Sequence, residues 1–188
     1  MTGTGTGRQA AILDAALEEA AAVGWHDLRL RHVAERLGLG LADLRACYRD
    51  ADAIADALFA RALAAMLATP VDAGAAPSAR AATVLLGWFD GLGSHQALAG
   101  QMIREKLWPS HPHHWVPMVF NLSRLVHWWR EAAHLDAGGL RRQAEEVGLT
   151  LALLSVLPLG LSDRSTRRMR TRQGLARRLR FLDGLAAR

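Results

Sequence analysis

The chain of 188 residues is 51% hydrophobic and 22% charged, a balance that excludes an intrinsically disordered protein and is typical of a globular one. Its single cysteine excludes an intrachain disulfide, and its longest run without a charged residue or a histidine, at 147–162, is shorter than the roughly 20 apolar residues that span a bilayer. The net charge of +5 is uneven, since residues 1–60 hold six arginines against nine acids whereas residues 161–188 hold nine arginines against two aspartates.

The first part of the chain predicts four helices. Apolar residues recur at helical spacing from about Arg8 to Val23, and Gly24 supplies the left-handed residue that ends such a helix. Two short helices, at 30–37 and 41–47, flank a Gly-Leu-Gly turn. Asp50 stands at the start of a fourth helix that runs to about Leu67, because its carboxylate accepts the free backbone N–H groups there.

The remainder predicts a helical body. The stretch TPVDAGAAPS, at 69–78, breaks the periodicity and indicates a loop. Beyond it we expect helices near 79–91, 96–107, 116–133, 140–157 and 165–187, and we interpret the uncharged run as a buried helix. The fold class is therefore all-α, with a three-helix helix-turn-helix domain at residues 1–50 and a helical bundle at residues 51–188.

Four consecutive segments between Ile12 and Phe59 carry a family pattern. ILDAALEEAAAVGW has the pattern of a first helix, LRLRHVAERLGL of a second helix and tight turn, LADLRACY of a recognition helix, and RDADAIADALF of the start of a fourth. Together they resemble the TetR family of transcriptional regulators. The resemblance implies a homodimeric, ligand-controlled repressor whose partners are operator DNA and a small apolar effector, and whose last two helices form the dimer interface. It also implies that residues 1–50 bind DNA and that residues 51–188 form the effector-binding and dimerisation domain.

The resemblance also implies which residues approach DNA. They lie on the second helix, the turn and the recognition helix, and they are Arg29, Arg31, His32, Gly40, Leu41, Ala42, Asp43, Arg45, Cys47 and Tyr48. A basic strip of Arg29, Arg31, Arg36, Arg45 and Arg49 favours a positive reading face despite the acidic neighbourhood.

Residues 1–60, which contain the helix-turn-helix and the start of the fourth helix, are called the reading head below. This chain departs from the family pattern at four positions of the reading head. Arg29 and Gly40 stand where the family commonly has capping hydroxyl residues, Arg45 replaces a phosphate-contacting Tyr, and Ala51 replaces a Lys. A guanidinium binds phosphate bidentately, so Arg45 can keep its contact, whereas Ala51 cannot.

Bulky side chains concentrate between Leu85 and Trp129. A cavity for an apolar effector would be lined by Trp88, Met102, Trp108, Met118, Leu122 and Trp128. Ordinary core packing is the alternative interpretation of the same residues, and the adjacent Trp128 and Trp129 cannot both face inward.

Catalytic and metal chemistry find little support in the sequence. There is no G-x-S-x-G elbow, P-loop or dinucleotide fingerprint, so we predict no enzyme, no catalytic residue and no cofactor. His111, His113 and His114 predict a solvated loop rather than a metal site, because no Cys or carboxylate lies close by. The N-terminus does not have the pattern of a secretory signal, and we expect a cytoplasmic protein without stable membrane insertion.

A second hypothesis comes from the acidic head, the absent Lys and Tyr, and the Trp-rich body. These features, with the sequence RFLDGL near the end, are similar to the ubiquinone-biosynthesis accessory proteins and suggest a lipid or isoprenoid carrier that does not bind DNA. The arginine-rich last helix is either a solvated face or a surface attracted to anionic lipid or acidic partner groups.

Overall fold

A computed structural model describes residues 3–107 and 115–186, with side chains from 5 to 107 and from 121 to 186. Its α-helices are α1 (Gly3–Val23), α2 (Leu30–Arg36), α3 (Leu41–Cys47), α4 (Ala51–Leu67), α5 (Pro77–Gly91), α6 (Gln96–Lys106), α7 (Trp115–Ala132), α8 (Gly139–Ser162), α9 (Met169–Arg178) and α10 (Phe181–Ala186). Short 3₁₀ turns at Gly93–His95 and Thr166–Arg168 precede α6 and α9. The described residues contain no strand, and the all-α fold class is confirmed.

The helix-turn-helix forms around a small apolar core. Ile12 and Leu17 of α1 are fully buried, as is Val33 of α2, and Leu44 of α3 is 2% exposed. Gly38 adopts φ +63 in the turn between α2 and α3, a conformation that glycine takes without steric cost. Trp25 folds back into the core after α1, and the packed core fixes α2 against α3.

The body is built on close packing of α4 along α5. Gly87 and Gly91 of α5 make this approach possible, since a Cβ added at Gly91 would lie 2.7 Å from Ala65 Cβ and 2.8 Å from Ala62 Cα. Helices pack this closely only where side chains are absent or small. The α4–α5 pair thus forms the centre to which α7, α9 and α10 attach.

A buried ion pair joins α7 to α8. The Arg130 and Glu145 side chains are 3% and 7% exposed, and the guanidinium donates to Glu145 Oε2 at 3.0 and 3.1 Å. The same guanidinium also donates to the carbonyls of Leu135 and Ala137 in the connecting turn. Because both charges are matched and hydrogen-bonded, the pair fixes the start of α8 against α7.

The final helix expected at 165–187 is interrupted twice. Arg167 and Arg168 have positive φ angles of 52 and 54, and α9 begins only at Met169. The Asp163 carboxylate accepts hydrogen bonds from Thr171 N and Thr171 Oγ1 at 2.8 and 2.6 Å, which holds the start of α9 in place. A second break follows Arg178, before α10. The prediction of one continuous helix was wrong. The break before α9 depends on tertiary hydrogen bonds, which the helical periodicity of the sequence does not reveal.

Helix α8 continues through Pro158 to Ser162, five residues beyond its expected end, and is long and apolar enough by composition to span a membrane. Only 33% of its most apolar 18-residue stretch is buried within the chain, so the interpretation as a buried helix was wrong for one face. An apolar stripe on that face is exposed, at Leu140 (82%), Val147 (61%), Leu151 (63%) and Leu154 (49%). The single chain leaves this stripe without a partner.

Candidate DNA-binding surface

Recognition helix α3 is held from its inner side. Leu44 is buried, and the neighbouring Tyr48 is 9% exposed with its hydroxyl donating to the Gln9 carbonyl of α1 at 3.1 Å. Burial raises the pKa of Tyr48, so the phenol stays protonated and keeps this bond. Tyr48 therefore anchors α3 to α1. Because its ring is buried, we remove it from the predicted DNA contacts.

The other predicted contacts of α3 and the turn lie on the outer side. Leu41 is 57% exposed, and Cys47 is half-buried. The remaining residues of this group are exposed, namely Gly40, Ala42, Asp43 and Arg45. These residues form one continuous surface at the start and middle of a seven-residue helix.

Asp43 has a structural task as well. Gly40 has no side chain to cap α3, and the Asp43 carboxylate accepts from the Gly40 backbone N–H at 3.1 Å instead. It also lies 4.0 Å from the Arg8 guanidinium of α1. Arg8 was absent from the predicted set, because nothing in sequence spacing relates α1 to α3. At α2, Arg29 provides no side-chain cap.

Several acids of the reading head are paired with bases. Glu18 and Glu19 of α1 contact α2, where Arg36 Nη2 lies 2.6 Å from Glu18 and His32 Nδ1 lies 3.4 Å from Glu19. Arg61 lies 3.0 Å from Asp14, and Lys106 lies 3.0 Å from Asp56. The net negative charge of the first 60 residues is therefore partly compensated by local pairs, including bases that lie outside this range.

The five arginines of the predicted basic strip differ in their contacts. Arg36 is paired with Glu18, Arg49 Nε lies 3.1 Å from Asp50, and Arg29 donates to the carbonyls of His26 and Leu28. Arg31 and Arg45 are exposed and form no ion pair with any acid in the described part of the chain. These two guanidiniums are the cations of the strip that face solvent without an acidic partner.

Contacts between α6 and the reading head join it to the body. The Trp25 backbone N–H donates to Gln101 Oε1 at 2.8 Å, and His26 Nδ1 lies 3.7 Å from Glu105. Lys106 reaches Asp56 of α4. No local sequence pattern indicates these three α6 residues, since each contacts a partner at least 50 positions away. Through them α6 contacts both the first turn of the head and α4.

The residues predicted to line an effector cavity lie in several environments. Trp88 and Met102 are buried, with the Trp88 ring stacked on Phe59 at a centroid distance of 6.2 Å. Leu122 is half-buried and Trp128 is 45% exposed. Trp108 and the Met118 side chain lie outside the described residues.

The paired tryptophans of α7 behave as predicted, since Trp129 is fully buried and donates to the Ala81 carbonyl at 2.7 Å while Trp128 is exposed. The predicted histidine loop, with His111, His113 and His114, lies outside the described residues. Among the residues that are described, no three His, Cys, Asp or Glu side chains form a group that would hold a metal ion.

Two open grooves lie away from those predicted cavity residues. One, of about 420 Å³, lies between α4, α5 and α9 and includes Thr69, Asp90 and Arg172. The other, of about 450 Å³, lies beside α8 and includes Leu151, Arg178 and Phe181. Both grooves are therefore surfaces of the body and not part of the reading head.

Comparison with solved structures relates the whole chain to known regulators. The TetR transcriptional regulator from Nitrosomonas europaea ATCC 19718 is 34% identical, with 93% of this chain and 97% of that chain covered at a TM-score of 0.80. A bacterial regulatory protein in the tetR family from Rhodococcus RHA1 shares the fold at 17% identity, with 93% and 96% covered and a TM-score of 0.51. No protein-family model and no curated protein matches the chain. On the identity and coverage of the first of these structures, the chain belongs to the TetR family of transcriptional regulators.

Proposed function

We propose that this regulator is a cytoplasmic, dimeric repressor that binds an operator through α3 of both copies and releases it when a small apolar effector binds. Residues 1–50 act as the DNA-binding part, and residues 51–188 bind the effector and form the dimer. This proposal depends on one observation: Arg31 and Arg45 are exposed and form no ion pair with an acid among the described residues.

The distribution of charges in the folded reading head supports DNA binding. Attraction to DNA comes mainly from cations that neutralise phosphates, so the free guanidiniums matter more than the net charge of the segment. Glu18 and Glu19 pair with Arg36 and His32 between α1 and α2, so part of the negative charge of α1 is compensated locally. Arg45, at the position of the family's phosphate-contacting Tyr, supplies a bidentate donor.

The exposed stripe of α8 supports a dimer. Leu140, Val147, Leu151, Leu154 and Pro158 recur at intervals of seven, four, three and four residues, so they share one face of the helix. A helix of 24 residues is about 36 Å long, enough for an extended helix–helix interface. A two-fold dimer that pairs this face with its own copy would cover the stripe.

The DNA-binding proposal is tested by Arg45→Gln, measured by fluorescence anisotropy on a duplex that covers the region upstream of the protein's own gene. We expect affinity to fall about tenfold and the slope of log K against log salt to become shallower, because one phosphate contact per copy is lost. Arg36→Gln is the matched control, since it removes the same charge from a residue already paired with Glu18. The control should keep most of the affinity and the full salt slope.

Two results would contradict the proposal. Equal losses in the two variants would show that only net charge matters and would remove the role of α3. A folded wild-type protein that does not bind the duplex at low salt would argue for the carrier alternative. Circular dichroism of each variant verifies the fold.

The apolar effector is proposed from the buried Trp88 and Met102 and the half-buried Leu122, which α5, α6 and α7 contribute to the body. Apolar and aromatic walls favour an apolar ligand. We expect that an effector which raises the melting temperature of the protein also releases the duplex, because the proposed mechanism requires it to bind the DNA-free conformation more tightly than the DNA-bound one. Organic extraction and mass spectrometry of the purified protein test the carrier alternative. Stoichiometric lipid in a protein that does not bind DNA would contradict the repressor function.

A further inference from the structure

The C-terminal segment presents a row of cations along one edge of α9. Arg170, Gly174 and Arg178 recur every four residues, which places them on the same edge of the helix. Neither arginine forms an ion pair with an acid in the residues that the structure describes, and Arg178 donates only to the Gly174 carbonyl. The buried side of α9 carries Thr171 and Leu175, so the cationic edge is held in a fixed direction.

This edge borders the exposed stripe of α8. A Cβ added at Gly174 would lie 3.2 Å from Leu159 Cδ2 and 3.8 Å from Val156 Cγ2, so the edge runs directly beside α8. Arg178 lines the groove of about 450 Å³ together with Leu151 of the stripe and Phe181 of α10. A second copy that covers the stripe would therefore meet these arginines at its border.

The second copy brings more cations than acids to this border. In a two-fold interface the same patch occurs on both sides, so the partner offers only the residues that this chain offers. Residues 147–162 of α8 are uncharged. Residues 161–188 hold nine arginines against two aspartates, and these aspartates accept hydrogen bonds elsewhere, Asp163 from Thr171 and Asp183 from Ser78 N and Oγ at 2.9 and 2.7 Å. The two copies thus bring together segments in which positive charge is in excess.

We propose that a small multivalent oxyanion of the phosphate or sulfate class binds between Arg170 and Arg178 of the two copies and strengthens the dimer. The inference rests on the proposed dimer through α8. Guanidinium groups bind such oxyanions with paired N–H donors, and one doubly charged anion compensates cations from both subunits. DNA binding and dimerisation then respond to anions in opposite directions, because anions weaken phosphate contacts.

The test is the dimer dissociation constant, measured by sedimentation velocity in sodium chloride and in sodium sulfate at equal ionic strength. Equal ionic strength keeps general screening the same, with a Debye length of about 8 Å at roughly 150 mM. We expect sulfate to lower the dissociation constant at least about tenfold, a change equivalent to about 1.4 kcal/mol. The double variant Arg170→Gln with Arg178→Gln should give the same constant in both salts.

Arg172→Gln is the matched control, since Arg172 belongs to α9 but lines the groove on the α4–α5 side. It should keep the sulfate response. A dimer with equal constants in both salts would overturn this inference alone, whereas a chain that stays monomeric in sulfate would overturn the proposed dimer as well. Lipid headgroups also carry phosphate and can bind the same arginines. A flotation assay with phosphatidylglycerol vesicles therefore distinguishes binding to a membrane from binding of a free anion. Flotation without any response to free sulfate would assign the arginines to a membrane surface and overturn the inference.

Discussion

Arginine side chains occupy three kinds of environment in this protein. Arg130 is buried with Glu145, and Arg168, whose side chain is 11% exposed, donates to Asp90 and to the carbonyl of Phe89. Arg31 and Arg45 remain exposed without an acidic partner in the described residues. Residue counts gave the head a negative charge, but only the folded contacts distinguish cations that support the fold from cations free to bind DNA.

Asp163 is a residue whose ionisation contributes to stability. Burial alone would raise its pKa, but hydrogen bonds from Ser165 and Thr171 outweigh burial and hold the pKa of this carboxyl well below its usual range. Because the pKa is lower in the folded than in the unfolded state, the ionised group stabilises the fold above about pH 4, and this contribution declines as the pH falls toward the folded pKa.

We predict that Asp163→Asn lowers the free energy of unfolding at pH 7 by about 1–3 kcal/mol, since the amide replaces an acceptor of several hydrogen bonds. Urea unfolding at several pH values from 7 to 3 measures the difference between the wild type and the variant. The difference should shrink below about pH 4, because the carboxyl of the unfolded wild type then binds a proton that the folded form does not bind. A difference independent of pH would contradict the role of ionised Asp163.

At the scale of elements, local signals predicted the reading head well. Helix α3 begins and ends where the sequence indicated, at Leu41 and Cys47, and Asp50 caps α4 by accepting from Ala53 N at 2.8 Å. Glycine turns and carboxylate caps act over a few residues, so the sequence reveals them directly. The TetR resemblance placed Tyr48 among the residues that approach DNA, whereas its ring is buried beside Leu44.

The C-terminal elements were predicted less well because distant contacts determine them. The break before α9 depends on Asp163 and on left-handed backbone at Arg167 and Arg168, which helical periodicity does not reveal. The exposed stripe of α8 has the composition of a buried helix, so its burial cannot be predicted without its neighbours. The links from α6 to the head join residues far apart in sequence, and no local pattern indicates them.

At the scale of the whole molecule, the free cations of the head and the apolar stripe of the body occupy separate regions. The free guanidiniums of the head lie on α2 and α3, while the apolar stripe and the row of cations lie on α8 and α9. This separation fits the proposed function, in which one part of the chain binds DNA and the other forms the dimer. The two parts connect through α6 and α4.

Selection of bound duplexes from a random-sequence pool measures whether two α3 helices bind one DNA site together. We expect enrichment of a two-fold symmetric sequence whose half-sites lie one helical turn, about 34 Å, or a multiple of it apart. The combined variant Arg31→Gln with Arg45→Gln should lose this enrichment while remaining folded. A folded wild-type dimer that enriches no sequence at low salt would contradict the account.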